Sequence, residues 1–146
     1  MPRSTSATPS RLTTSPAEPL WPTIDDIIEV HEEQIELRGG PHGIRDLGLV
    51  ESALGRAQQL HYVGDEGDIL VLAVRLGIGL AANHGFIDGN KRAGAFMMIE
   101  FLGLNGYRLD LPDDLRLGQW FEAAVAKEMS EADLIAALDA YIVEID

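Results

Sequence analysis

From Thr23 onwards, apolar residues recur at the three- and four-residue intervals that are typical of amphipathic helices. Thr23 can cap the first of these helices, which should end before Gly39-Gly40. Its inward-facing positions are Ile24, Ile27, Ile28, His31 and Ile35.

Asp46 is the predicted cap of a second helix. The inward-facing positions of that helix are Leu49, Val50, Ala53, Leu54 and Ala57. The pattern therefore predicts two helices that each bury one face.

The next two predicted helices contain the most apolar part of the chain. Asp68 can cap a helix from Ile69 to Asn83, which is apolar on nearly every side and should therefore lie at the centre of the fold. His84 follows directly after this helix. A fourth helix, Ala93 to Asn105, should end at Asn105-Gly106, where glycine can adopt a left-handed conformation. Its apolar positions at helical intervals are Phe96, Met97, Phe101 and Leu104.

The C-terminal part of the chain predicts two further helices. One lies around Asp114 to Met129, and the other runs from Ser130 to the end, with Ser130 and Asp133 resembling a capping box. No segment alternates apolar and polar residues over a sustained length, so Tyr107 to Leu111 is at most one short strand. We therefore predict an all-α bundle of about six helices, with the loop before the fourth helix at one end.

Residues 1–20 differ from the rest of the chain in composition. They are rich in Ser, Thr and Pro, and such a segment cannot bury enough apolar surface to offset the entropy of the chain. We therefore expect a flexible tail over residues 1–20, followed by one domain over residues 21–146. A chain of 146 residues has room for a single packed core.

Charge and cysteine content exclude several classes of function. The net charge of −13 is unfavourable for nucleic acid, because affinity for DNA or RNA depends on cations that replace counterions on phosphates. The chain has no cysteine, which excludes disulfides and fits a reducing compartment. The longest apolar stretch, Ile69 to Ala82, is interrupted by Arg75 and is shorter than the about 20 residues that span a bilayer. We expect a cytoplasmic protein without nucleic-acid or membrane partners.

The segment from His84 to Arg92 has the composition of a phosphate-binding loop. Gly89 can take a positive φ and turn several N–H groups towards one point, and Asn90, Lys91 and Arg92 open the next helix. Free N–H groups at the start of a helix attract anions, and two cationic side chains can add to that attraction. We therefore predict that Gly89, Asn90, Lys91 and Arg92 bind the phosphates of a nucleotide.

Three other loop residues have distinct predicted roles. Asp88 would repel a phosphate unless a cation lies between them, so it is the predicted ligand of Mg²⁺. His84 has an unperturbed pKa near neutrality and is the predicted general base. Phe86 is the predicted anchor of the loop. Taken singly, each loop residue has an ordinary reading: a helix cap for His84, solvated charges for Lys91 and Arg92, and a turn for Asp88-Gly89. Their combination within nine residues favours a functional site.

At these residues the chain resembles the Fic/Doc superfamily. The death-on-curing branch of that superfamily has the loop His-x-Phe-x-Asp-Ala/Gly-Asn-Lys-Arg, and positions 84, 86 and 88–92 of this chain match it. Positions 43–54 also resemble the upstream helix of that branch. The resemblance covers about residues 23–142. It implies an all-helical fold and a toxin of a bacterial toxin–antitoxin pair that acts on a translation factor similar to elongation factor Tu.

The resemblance also implies the chemistry. Fic enzymes transfer AMP from ATP, whereas the death-on-curing branch transfers the γ-phosphate. Lys91 stands where the AMP-transferring loop has glycine, and Ala95 stands where that loop has a second arginine. The resemblance therefore implies a kinase that uses ATP and Mg²⁺, with His84, Lys91 and Arg92 as catalytic residues and a short antitoxin covering the site.

Two positions depart from the pattern of the branch. Gly85 replaces the usual proline, and we expect this change to give a looser entry to the loop. Phe96 offers no polar phosphate ligand at the position four residues after Arg92.

Three other functions remain open at this point. The first is transfer of AMP to a protein hydroxyl. The second is an inactive interaction module. The third is a metal hydrolase that uses His84 and Asp88, for which His31, His42 and His61 are too scattered to supply the other ligands.

Overall fold

The computed structural model describes residues 18–145. Most of the predicted tail, residues 1–17, lies outside the described residues. The last three tail residues contact the helical body: Pro19 is buried, and the backbone N–H of Leu20 donates to Asn105 Oδ1 at 2.8 Å. The side chain of Asn105 returns a hydrogen bond from Nδ2 to Leu20 O at 3.0 Å. Residues 18–20 are thus held against the end of the fourth helix.

The described residues form six α-helices and a two-stranded sheet, which confirms the predicted helical fold. The helices are α1 (Ile24–Arg38), α2 (Leu47–Tyr62), α3 (Ile69–Asn83), α4 (Asn90–Leu104), α5 (Asp114–Val125) and α6 (Glu131–Asp139). The strands are β1 (Tyr107–Leu109) and β2 (Ile142–Glu144). Among the described residues, no helix combines the length and the apolar character needed to cross a membrane.

Helix α3 lies at the centre of the fold, as its uniformly apolar sequence predicts. Ten of its 15 residues are buried, and it packs against α2 on one side and α4 on the other. The contact with α4 is a close approach of two backbones at Gly77 and Gly94. A Cβ atom at Gly94 would lie 2.4 Å from the carbonyl oxygen of Gly77, so only glycine allows this approach. This packing fixes where α3 ends and α4 begins.

Side chains cap four of the helices at their N-termini. Thr23 forms a complete capping box on α1 with Asp26, while Asp46, Asp68 and Ser130 each accept a hydrogen bond from an N–H group in the first turn of α2, α3 and α6. All four caps were predicted from the sequence. Such caps satisfy N–H groups that the helix itself leaves without acceptors.

The C-terminal region differs from the prediction in two places. Helix α5 ends at Val125 and not near Met129, because Lys127 adopts a left-handed conformation (φ 62°) that cannot continue a helix. The helix predicted from Ser130 to the end was wrong beyond Asp139. Residues Ile142–Glu144 instead pair antiparallel with β1, and Ile142 joins the core.

Candidate active site

The loop between α3 and α4 begins with a left-handed residue. His84 ends α3 with φ 54° and ψ 46°, which turns the chain out of the helix and leaves the imidazole exposed. The Nε of Arg45 donates to the carbonyl oxygen of His84 at 2.8 Å. The fold therefore brings Arg45 to the loop, although sequence alone could not place it there. It holds the backbone at the predicted general base.

Gly85 lies close against α2 at the entry of the loop. Its carbonyl oxygen accepts hydrogen bonds from the backbone N–H groups of Arg45 (2.8 Å) and Asp46 (2.9 Å). A Cβ atom at this position would lie 2.5 Å from Val50 Cγ2. The missing side chain thus lets the loop pack directly against α2, while the looser entry expected from the replacement of proline stays a prediction.

Phe86 is buried within the loop, as its predicted role as an anchor requires. Its side chain is 2% exposed, and its ring stacks on that of His31 with 3.8 Å between the centroids and 5° between the planes. The side chain of Asn90 holds the backbone of Phe86 at both ends. Asn90 Oδ1 accepts from Phe86 N at 2.9 Å, and Asn90 Nδ2 donates to Phe86 O at 3.0 Å. Because this side chain is engaged, Asn90 can contact a phosphate through its backbone N–H.

His31 is a site residue that the sequence analysis assigned only to the core. It lies on α1 and is 1% exposed, and its Nε2–H donates to the carbonyl oxygen of Asp88 at 2.7 Å. Because a carbonyl can only accept, this contact assigns the proton to Nε2. Burial lowers the pKa of His31, against the opposing effect of the Asp88 hydrogen bond. A histidine on an apolar helix face was the only signal in the sequence.

The start of α4 has no side-chain cap. Gly89 precedes the helix in a left-handed conformation (φ 76°), which glycine adopts without strain. The backbone N–H groups of Asn90, Lys91 and Arg92 have no acceptor among residues 18–145. The first turn also contains no acidic residue. Free donors and the positive end of a helix dipole therefore meet at one point, which is the geometry that binds phosphate.

The structure brings His84 and Lys91 to one cleft. The cleft has a volume of about 470 Å³, and its opposite wall is formed by the end of α5 and the turn after it. Gln119, Glu122 and Glu128 are the polar residues of that wall. Lys91 Nζ lies 3.4 Å from Glu122 Oε1, in a pair that is more than half exposed. A hydroxyl group that enters this cleft would meet the base and a cation together.

Asp88 and Arg92 lie on the other side of the loop, towards the end of α1. Arg92 Nη2 donates to the carbonyl oxygen of Gly39 at 3.3 Å, and the carboxylate of Asp88 packs against Gly40. Arg92 is not among the residues that line the cleft with His84. The two adjacent cations of the loop thus point to opposite sides of the start of α4.

The residues present suit a magnesium ion held together with phosphate oxygens. The side chain of Asp88 is exposed and has no hydrogen-bond or ion-pair partner among the described residues. Mg²⁺ is commonly bound by one or two carboxylates plus substrate phosphates. Across residues 18–145 there is no group of three or more His, Cys, Asp or Glu side chains that could hold a metal by themselves. The metal-hydrolase hypothesis therefore has no candidate ligand set in this part of the chain.

Comparisons with known proteins agree with the family resemblance of the loop sequence. The model of the Fic/DOC family matches residues 21–102. The chain is 35% identical over 100 residues to the protein named Toxin Doc of Mycolicibacterium smegmatis, covering 68% of this chain and 77% of that protein. It is 30% identical over 97 residues to the protein named Protein kinase doc of Escherichia phage P1, covering 64% of this chain and 77% of that protein. The residues matched by the family model contain the loop, the whole of α3 and nearly all of α4.

Proposed function

Because this chain belongs to the Fic/DOC family, we propose that it is a death-on-curing-type toxin that transfers the γ-phosphate of ATP to a Ser or Thr hydroxyl of a translation factor. The observation that carries the proposal is the uncapped start of α4 beside His84. An anion-binding helix start next to an exposed base suits the transfer of a phosphate group. Transfer to a factor similar to elongation factor Tu would arrest translation.

ATP would bind with its terminal phosphate at the start of α4. The backbone N–H groups of residues 90–92 would donate to the phosphate oxygens, and Lys91 would add a positive charge from the side of the cleft. Asp88 would hold Mg²⁺, which supplies neutralisation of the phosphate charge when it is bound. Arg92 lies on the same side as Asp88, where its guanidinium could reach phosphate oxygens after releasing Gly39.

His84 would act as the general base. Its imidazole is exposed in the cleft and can accept the proton of a hydroxyl group on the protein substrate. The hydroxyl oxygen then forms a bond to the γ-phosphorus, while the bond from that phosphorus to the bridging oxygen breaks and ADP leaves. The hydrogen bond from Arg45 to the backbone of His84 keeps the base in place during this step.

Two observations favour transfer of phosphate over transfer of AMP. Lys91 borders the start of α4 with a long cationic side chain where a glycine would admit the α-phosphate closely. One relative at 30% identity is named a protein kinase. AMP transfer is therefore the alternative that an experiment must distinguish from phosphate transfer.

The test is expression of the wild-type chain and of His84→Ala in bacteria, followed by intact-mass analysis of the translation factors. We expect an added mass of about 80 Da with the wild type and none with the variant, because loss of a general base lowers the rate by about 10²–10⁴. An added mass of about 329 Da would establish AMP transfer instead. The same factors unmodified by a chain that binds ATP would indicate an inactive interaction module.

We further propose that a short antitoxin segment covers the cleft between His84 and Glu122. The two relatives named as Doc proteins support an antitoxin partner for this chain. A segment seated in this cleft would exclude the protein substrate from His84. Protection of Lys91 from amine-reactive reagents in the toxin–antitoxin complex would support this placement, whereas unchanged labelling of Lys91 would contradict it.

A further inference from the structure

A second cleft lies beside the first, on the other face of the turn that follows α5. Its volume is about 480 Å³, within the range of ligand sites in proteins. Val125 lines both clefts, and Asn83 lines the second cleft directly before His84. The two clefts are therefore separate neighbours. The second cleft contains none of the loop residues from His84 to Arg92.

The second cleft is rich in positive charge although the chain as a whole carries −13. Arg56 of α2, Arg75 of α3 and Lys127 of the turn after α5 are among its lining residues. Arg56 and Lys127 are exposed, and neither has an ion-pair partner among residues 18–145. The N-terminus of α6 also borders the cleft and adds the positive end of its dipole. Cations brought together from three elements would repel one another unless an anion lies between them.

The contacts of Arg75 indicate that this cleft accepts a carboxylate. Its Nη2 donates to Oε2 of Glu131, the first residue of α6, so a protein carboxylate already occupies part of the site. The buried Nε of Arg75 has no hydrogen-bond partner. A carboxylate that binds a guanidinium side-on engages Nε and Nη2 together. Glu131 therefore accepts from Nη2 of this guanidinium group and leaves its Nε without an acceptor.

Apolar side chains form the floor of the cleft. Ile78, Ala82, Val125 and Met129 line it between the cations. A free inorganic anion gains nothing from such a surface, whereas a peptide with both acidic and apolar side chains can bury apolar area while its carboxylates pair with the arginines.

We propose that this second cleft binds an acidic segment of a partner protein, with a partner carboxylate replacing Glu131 on Arg75. Arg56 and Lys127 hold a second carboxylate of the same segment, and Glu131 competes with the partner for Arg75. The site is distinct from the phosphate-binding loop, because it contains none of the residues from His84 to Arg92.

The experiment is an NMR titration of the full chain with acetyl-Glu-Leu-Glu-Leu-amide, following the Arg75 Nε–H signal and the backbone signals of the lining residues. We expect the Arg75 signal to shift on binding, and acetyl-Gln-Leu-Gln-Leu-amide to bind about tenfold more weakly or not at all. Arg56→Gln should weaken binding about tenfold, because a charge-assisted hydrogen bond is lost from an exposed position that the fold does not need. Glu131→Gln should tighten binding, because the internal competitor becomes neutral.

The matched control is Arg108→Gln, which removes an exposed arginine of β1 outside the cleft and should leave binding unchanged. Equal binding of the acidic and the neutral peptide would overturn the proposal. So would an Arg56→Gln titration that matches the wild type, or the absence of any shift at about 10 mM peptide. Inorganic phosphate that binds at the same signals more tightly than the acidic peptide would replace the proposed protein partner with a small-anion site.

Discussion

The starts of α1 and α4 differ in whether side chains of the protein accept hydrogen bonds from the first N–H groups of the helix. At α1, Thr23 Oγ1 accepts from Asp26 N at 3.0 Å and Asp26 Oδ2 accepts from Thr23 N at 2.8 Å, so both of these N–H groups have side-chain acceptors. Acidic residues in the first turn of α1 also complement the helix dipole. At α4, the residue before the helix is Gly89, no side chain accepts from the first turn, and two cations follow. Side chains of the protein cap one helix start, whereas the other leaves its first N–H groups without a side-chain acceptor.

The difference shows that departure from helix-capping rules can mark a site of function. A missing cap costs about 1 kcal/mol, and the other helices with an assigned cap residue at the N-terminus all have the capping hydrogen bond that α4 lacks. Sequences satisfy such local rules where only stability matters and violate them where a ligand completes the structure.

Placing a carboxylate at the start of α4 should strongly weaken nucleotide binding. In Gly89→Asp, the carboxylate lies beside the free N–H groups and repels phosphate, so we expect ATP affinity to fall about 100-fold or more. Isothermal titration with ATP and Mg²⁺ measures this effect. Gly106→Asp is the control, because Gly106 has a similar positive φ (89°) at the other end of α4 with nothing within 4 Å of an added Cβ. Wild-type affinity in Gly89→Asp would contradict the phosphate-binding role of this helix start.

Removing the support that α1 gives to the loop should destabilise the fold. His31→Leu removes the donor to Asp88 O and the stacked ring on Phe86, and we expect the lost hydrogen bond at this partly buried acceptor to cost about 1 kcal/mol or more. Urea unfolding gives the change in the free energy of unfolding.

The control for His31→Leu lies one helical turn along the same helix. Gln34 is also buried, but its Oε1 has no hydrogen-bond partner. Gln34→Leu should therefore cost nothing or stabilise the protein, since it removes an unsatisfied polar atom. Equal losses in the two variants would mean that His31 contributes only volume.

Removing the cap of α1 should affect stability alone. Thr23→Ala should lower the free energy of unfolding by about 1 kcal/mol, because it leaves the N–H of Asp26 without its acceptor. Nucleotide affinity and phosphate transfer should equal those of the wild type, which the titration and mass measurements above can establish. A loss of ATP binding in this variant would remove the contrast between the two helix starts.

The smallest effect is expected from acidification. Burial lowers the pKa of His31 below 6.5, and the charges of His42 and Arg92 act in the same direction, whereas the Asp88 hydrogen bond and Glu32 act against them. A pKa that is lower in the folded state means that the fold favours neutral His31. Its contribution to stability is therefore present above pH 6.5 and is lost as the pH falls through the folded pKa.

Thermal unfolding across this pH range measures the effect. The wild type should lose more stability than His31→Gln, which keeps a donor for Asp88 O but has no group that titrates in this range. Parallel pH profiles of the two proteins would show that His31 does not couple stability to pH.

The sequence predicted the parts of the fold that local patterns determine. The caps at Thr23, Asp46, Asp68 and Ser130 follow from short-range hydrogen bonding, and the burial of α3 follows from its composition. The strand β2 could not be predicted, because three residues form a strand only where a partner strand is available. The left-handed Lys127 has no signal in its own residue type.

The candidate site shows the same difference, because some of its features follow from local sequence and others depend on tertiary packing. The burial of Phe86 follows from its apolar place within the loop, and its role as an anchor stays a prediction. The stacking of His31 beneath Phe86 and the separation of Lys91 from Arg92 depend on how α1 and α5 pack around the loop. Those contacts join residues that are far apart in the chain. The catalytic and metal-binding roles of the loop residues stay predictions until the variants are measured.

The backbone contact between Gly77 and Gly94 also acts as a fixed spacer between two parts of the candidate site. Because α3 and α4 touch main chain to main chain, the offset between His84 at the end of one helix and the N–H groups at the start of the other is set by the backbone and not by large side chains at the crossing. A side chain at either glycine would push the two helices apart and so move His84 relative to the start of α4.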